Sequence, residues 1–144
     1  MKKSERLQPI SDFKKRQEED AAKRLAKVSQ EVSAQKQRLV DLHSYRGEYS
    51  RQFNSVGGGG MSAQKMREYQ LFMHKLNTVL DQQKAAIDVL EREYEDKKRQ
   101  WLAARNKLQA INKVQDRHLK KERQIEEKVS QKEQDDRNIR LVNR

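Results

Sequence analysis

NSVGGGGMSA, residues 54–63, gathers four of the chain's five glycines into one run, between flanks dense in charge and in spaced apolar residues. Two readings compete for it. A phosphate-cradling loop needs a Lys followed by Ser or Thr directly after its last glycine, and a buried strand before it. Here Met61 follows Gly60, and the residues before Asn54 carry a helical period. Glycine reaches positive φ without a Cβ clash and does not sustain a helix. The run reads as the turn between two helices, with Ser62 as N-cap of the returning one.

The flanks support this. Upstream, apolar residues recur in alternating steps of three and four: Ala21, Leu25, Val28, Val32, Leu39, Leu42, Tyr49 and Phe53, with polar Gln35 and Arg46 completing the stripe. Downstream the same step runs from Met66 through Tyr69, Met73, Leu76, Leu80, Ile87, Leu90, Tyr94, Trp101, Ala104 and Leu108 to Ile111. Only Gln83 and Lys97 break it. A sustained repeat of about 3.5 residues is the coiled-coil signature, and a disordered chain has no reason to keep such a register. Matching stripes on a short connection pack antiparallel. The expected fold is all-α: one hairpin domain over residues 1–144, with a helix over about 9–54, a turn over 55–62, a longer C-terminal helix over about 63–138, and frayed ends.

At about 1.5 Å per residue the arms would reach ~70 Å and ~110 Å. The segment from Asn112 onward, with only sparse apolar residues, would then overhang the paired part. Folding about a midpoint near residue 58 or 59 brings Gln35 and Gln83 together in the seam. Two amides there either bond each other and set the register or reach solvent.

Composition fits a thin seam better than a thick core. The 144 residues are 33% hydrophobic and 38% charged, against roughly 45–50% apolar usage in an average globular domain. There is no cysteine, hence no disulfide framework or thiol chemistry. The opening MKKSERLQPI is basic but leads into no apolar stretch of signal-peptide length. No run approaches the ~18 apolar residues of a membrane span. These features point to a soluble cytoplasmic protein, and the formal charge of +11 favours acidic partners.

Catalytic signals are missing. His43, His74 and His118 stand far apart, with no carboxylate or second histidine at metal spacing. No nucleophile, base and pocket converge, so neither an enzyme nor a cofactor is expected. The basic runs KKRQ (97–100) and RHLKKER (117–123) are interleaved with acids, and the aromatics lie mostly on the seam, away from them. Nucleic-acid binding therefore rests on charge alone.

The edges of the seam say more. With Leu25 at heptad position a, the e edge near the turn carries His43, Ser50, Gln70, Asn77 and Lys84, all polar. The g edge carries Arg38, Tyr45, Phe72, Val79 and Ala86. The g positions of antiparallel helices line one edge, so Tyr45 and Phe72 should be neighbours. An exposed apolar edge on a slim protein marks a binding surface, unless these side chains fold over the seam and widen it.

Tyr45, Glu48, Tyr49 and Asn54, a glycine-containing turn, then Tyr69, Gln70, Phe72 and Leu76, with EEDAAKRL at 18–25, resemble the FliJ family of the flagellar type III export apparatus. The resemblance covers roughly Phe13 to Asp116. It implies a non-enzymatic stalk and escort protein, similar to the central stalk of rotary ATPases. The implied partners are the hexameric export ATPase FliI, its regulator FliH, the export gate protein FlhA and export chaperones. It also implies a place at the cytoplasmic face of the inner membrane, peripheral to it through the gate. Carried over by position, the gate-binding residues are Leu42, Tyr45, Tyr49, Phe72 and Leu76. Arg38, Val79, Gln83 and Gly47 depart from the family pattern. The alternatives are a basic coiled-coil protein that binds nucleic acid and the equivalent stalk of a virulence-type secretion system.

Overall fold

The computed structural model describes residues 1–57 and 60–143. Gly58 and Gly59, within the stretch read as the turn, lie outside the described residues. Among the described residues the fold is all-α. Helix α1 (Lys3–Gly57) and helix α2 (Ala63–Val142) pack antiparallel, without a strand. Gly60 has φ +90°, a left-handed conformation that side chains disfavour. The Ser62 hydroxyl accepts the Lys65 N–H at 3.2 Å, and its carbonyl accepts the Met66 N–H at 3.1 Å. Ser62 is thus the N-cap of α2, satisfying one of the donors that a helix start leaves bare.

The helices contribute to two compact units: Lys23–Arg99, and Met1–Ala22 with Gln100–Arg144. In the first, which contains the turn, Val28, Leu76, Leu80 and Ile87 are buried, with Leu25, Val32, Leu39, Leu42 and Leu90 half-buried beside them. Every seam position from Leu25 to Phe53 is at least half-buried. Gln83 is buried among them, and its amide donates to Gln35 Oε1 at 2.7 Å and to the Gln35 carbonyl at 2.9 Å. The two glutamines pair instead of reaching for solvent.

The second unit continues the same step, but with polar side chains interleaved among the apolar ones. Ser4, Leu7, Ser11, Lys14, Glu18 and Ala21 face the pair on α1, and Trp101, Ala104, Leu108, Ile111, Gln115, His118 and Glu122 on α2. Ser4 donates through its hydroxyl to Glu122 Oε2 at 2.6 Å and through its N–H to Glu122 Oε1 at 3.2 Å. Ser11 donates to Asn112 Oδ1 at 2.9 Å. Gln115 donates to the Ser4 carbonyl at 3.1 Å and to Gln8 Oε1 at 2.7 Å, and the Trp101 indole N–H donates to Glu18 at 2.8 Å. The two hydrogen bonds from Ser4 hold the Glu122 carboxyl below its ordinary range. The ion pair of Lys2 with Glu126 raises the Lys2 ammonium.

These contacts correct two expectations. The first helix, expected over about 9–54 with Pro9 in its first turn, begins at Lys3 and takes Pro9 inside it. Pro9 cannot donate to the Glu5 carbonyl, but the turn before it is held on α2 through Ser4 and Gln8. The overhang, expected from Asn112, instead begins beyond Glu126. Burial persists through Glu122 and the Lys2–Glu126 ion pair follows it, while every described residue from 123 to 143 is exposed.

Candidate docking edge at the turn

Five rings gather where α1 ends and α2 begins. Phe53 stacks on Tyr69 with centroids 3.6 Å apart and planes 13° off parallel. Tyr69 stacks in turn on Tyr49 at 5.6 Å. Tyr49 lies 4.3 Å from Phe72 and 6.5 Å from Tyr45, and Tyr45 meets Phe72 edge-on at 6.1 Å and 73°. The heptad pattern dictates this assembly. Phe53, Tyr49 and Tyr69 occupy seam positions, while Tyr45 and Phe72 occupy g positions, which antiparallel helices bring to one edge. Offset and edge-to-face contacts let the ring quadrupoles attract.

The five residues singled out from sequence divide by burial. Leu76 is 7% exposed and belongs to the core; Leu42 and Tyr49 are half-buried in the seam. Phe72 is half-buried, and Tyr45 is 49% exposed. Val79 extends the apolar edge, whereas Arg38 and Ala86 are exposed beside it. The seam residues make a floor, and Tyr45 with Phe72 presents ring surface to solvent. The stacking of Phe53 on Tyr69 had not been anticipated. Its signal was present in the sequence, since the two rings are the stripe residues nearest the turn on the first arm and one step inside it on the second.

The opposite edge differs in chemistry. Arg46, at a seam position, donates through Nη1 to Asn77 Oδ1 at 2.9 Å. His43 and Ser50 are half-buried there, while Gln70 and Lys84 are exposed. Farther from the turn, an open groove is lined by Ser29, Val32, Ser33 and Tyr94 and rimmed by charges of both signs. Lys36 and Glu91 pair beside it at 2.9 Å, a half-exposed bridge of little energetic weight. Among the described residues, no group of three His, Cys, Asp or Glu side chains is placed to hold a metal ion. Among the described residues, likewise, no helix is long and apolar enough to cross a membrane.

Fold and edge together define the class, a coiled-coil helix pair that offers rings to solvent on one side of its seam. Comparison with known proteins narrows it. The family model described as flagellar FliJ protein matches residues 2–144. The flagellar FliJ proteins of Salmonella typhi and of Escherichia coli K12 are each 23% identical over 130 residues, covering 90% of this chain and 88% of the relative. No solved structure matches the chain. The chain belongs to the flagellar FliJ family, and with it to flagellum biogenesis and flagellar protein export.

Proposed function

We propose that this protein is a non-enzymatic stalk and escort of the flagellar type III export apparatus, docking on the export gate through the ring-bearing edge near its turn. One observation carries the reading. Tyr45 is 49% exposed and packs edge-on against Phe72, so a large aromatic surface stays in contact with water although its neighbours are ordered. Anchors of this type, pre-set by packing, give up little rotamer freedom on binding. Tyr45 and Phe72 make the contact; Leu42, Tyr49 and Leu76 hold them in place. The gate partner is FlhA. The unit that carries both termini enters the ring of the export ATPase FliI, in the company of its regulator FliH, and export chaperones are handed on from there. A helix pair seated in a ring accelerates turnover by contacting some subunit conformations better than others. The protein then works in the cytoplasm, peripheral to the inner membrane through the gate.

The test separates docking from packing. Tyr45→Ala with Phe72→Ala is expected to weaken binding to the soluble part of the gate at least tenfold, with helicity retained. A drop in melting temperature with unchanged gate binding would make these rings part of the seam and nothing more. For the ring contact, the measurement is ATPase rate and hexamer assembly with and without the protein. No change in either removes the stalk role.

A further inference from the structure

The edge opposite the rings holds a feature that gate docking does not use. Arg46 occupies a seam position, half-buried, where the repeat calls for an apolar residue. Its one hydrogen-bond partner among the described residues is the neutral Asn77 side chain, at 2.9 Å. A guanidinium has five N–H donors in a rigid fork, and Asn77 engages only one nitrogen of it, fixing the plane while the remaining donors stay available. Beside it the surface is low. Gly47 has no side chain, and a Cβ built there would meet only the Arg51 guanidinium, at 3.8 Å. Ser50 is the next small residue along the edge.

The surrounding charges point the same way. On this side of the seam from Val40 to Asn54, beyond the Lys36–Glu91 pair, α1 supplies Val40, His43, Arg46, Gly47, Ser50 and Asn54, with no carboxylate. The facing stretch of α2 supplies Arg67, Gln70, His74, Asn77 and Lys84 against the single acid Asp81. The ring-bearing side balances Asp41, Glu48 and Glu68 against Arg38, Lys65 and Lys75, whereas this edge keeps an excess of cations. The end of the unit at the turn is therefore polarised across its seam.

We infer that this edge is a second docking surface, separate from the rings, which takes an acidic protein segment and seats one Asp or Glu carboxylate on the guanidinium of Arg46 in the gap beside Gly47. Bidentate pairing of Arg with a carboxylate supplies geometry as well as charge, and a partly desolvated cation without a carboxylate of its own gains more from that pairing than an exposed one does. Asn77 is the positioning residue. The two edges then engage different partners at once, or two parts of one partner.

The experiment uses the full chain, a ten-residue glutamate peptide and, as the competing polyanion, a ten-nucleotide thymidine strand. At low salt, the Arg46 side-chain NεH resonance and the amides of Gly47, Ser50 and Asn77 are expected to shift on titration with the peptide. Arg46→Met should weaken peptide binding at least fivefold. The charge-matched control Arg38→Met, at an exposed position on the ring-bearing edge, should change it less than twofold. Because methionine suits a seam, Arg46→Met should keep or raise the melting temperature, so lost binding cannot be put down to unfolding. Asn77→Ala should weaken binding about twofold, and Arg46→Lys should not restore it. Tyr45→Ala should leave peptide binding intact, which keeps this surface distinct from the proposed gate contact. Equal losses for Arg46→Met and Arg38→Met, or shifts spread evenly over all cationic residues, would overturn the inference. Tighter binding of the thymidine strand at the same resonances would assign the edge to nucleic acid and overturn it as well.

Discussion

The two units close the same kind of seam with opposite materials. Between Lys23 and Arg99 the layers are mostly Leu, Ile, Val and stacked rings, interrupted by the Gln35–Gln83 pair, by Arg46 and by Lys97. In the unit formed by residues 1–22 and 100–144, the corresponding positions hold Ser4, Ser11, Glu18, Gln115 and Glu122, joined by directed hydrogen bonds. Apolar burial is non-directional and strong, at roughly 25 cal/mol per Å². A side-chain hydrogen bond has a net worth of about 1 kcal/mol and demands geometry. The first unit is thus the stable half, and the second is the half whose alignment depends on particular atoms.

The harshest test of that contrast is Leu80→Ala. Leu80 is 2% exposed, and its truncation should cost about 2–5 kcal/mol in urea denaturation. Ile139→Ala, at a residue 58% exposed on the stretch beyond Glu126, should cost less than ~0.5 kcal/mol. Similar losses at both sites would mean that the stretch beyond Glu126 is packed in solution. Next comes the glutamine pair. Gln83→Leu alone leaves Gln35 without its donor and should cost about 1–3 kcal/mol. Gln35→Leu combined with Gln83→Leu should recover most of that loss, with pairing less unique, readable as broadened or doubled amide resonances. A smaller effect is expected from Trp101→Phe, which removes the indole N–H from Glu18 and should cost ~1 kcal/mol, visible as faster amide exchange confined to the terminal unit.

The smallest effect is one of pH. The Glu122 carboxyl is depressed by Ser4, so its contribution is fully present above the ordinary carboxylate value of 4.5 and fades as pH falls through its lower folded value. Lys2 is raised, so its contribution holds below the ordinary 10.5 and fades as pH rises through the higher folded value. Amide protection near Ser4 should drop on acidification, and Ser4→Ala should flatten that dependence. An unchanged profile in the variant would assign the acid sensitivity to another carboxylate.

This contrast also explains what could be read in advance. A stripe of apolar residues announces itself, so the seam from Ala21 to Ile111 (save Met66, which is exposed), the approach of Gln35 to Gln83, and the meeting of Tyr45 with Phe72 followed from spacing alone; whether the amides would bond each other did not. The terminal stretch did not, because a search for apolar periodicity stops where Ser and Glu take over the same positions. Carrying the step of three and four upstream lands on 18, 14, 11, 7 and 4, and downstream on 115, 118 and 122, all of them facing the pair. The signal was positional, not hydrophobic. Likewise Pro9 reads as a helix start only until the side chains of Ser4 and Gln8 find partners on α2. In the docking edge, spacing placed the rings but could not tell that Leu76 is core while Tyr45 is half in water, since burial depends on which neighbours cover an edge.

The glutamine clasp has a corollary for how such a protein tolerates change. Sliding one arm by a heptad would strand both amides against aliphatic neighbours, so the correct alignment is recognised from within the seam and owes nothing to the connection joining the arms. The linker is thereby released from metrology: glycines could be gained or lost there across lineages, or inserted by an engineer, while the rings and the guanidinium keep their mutual spacing.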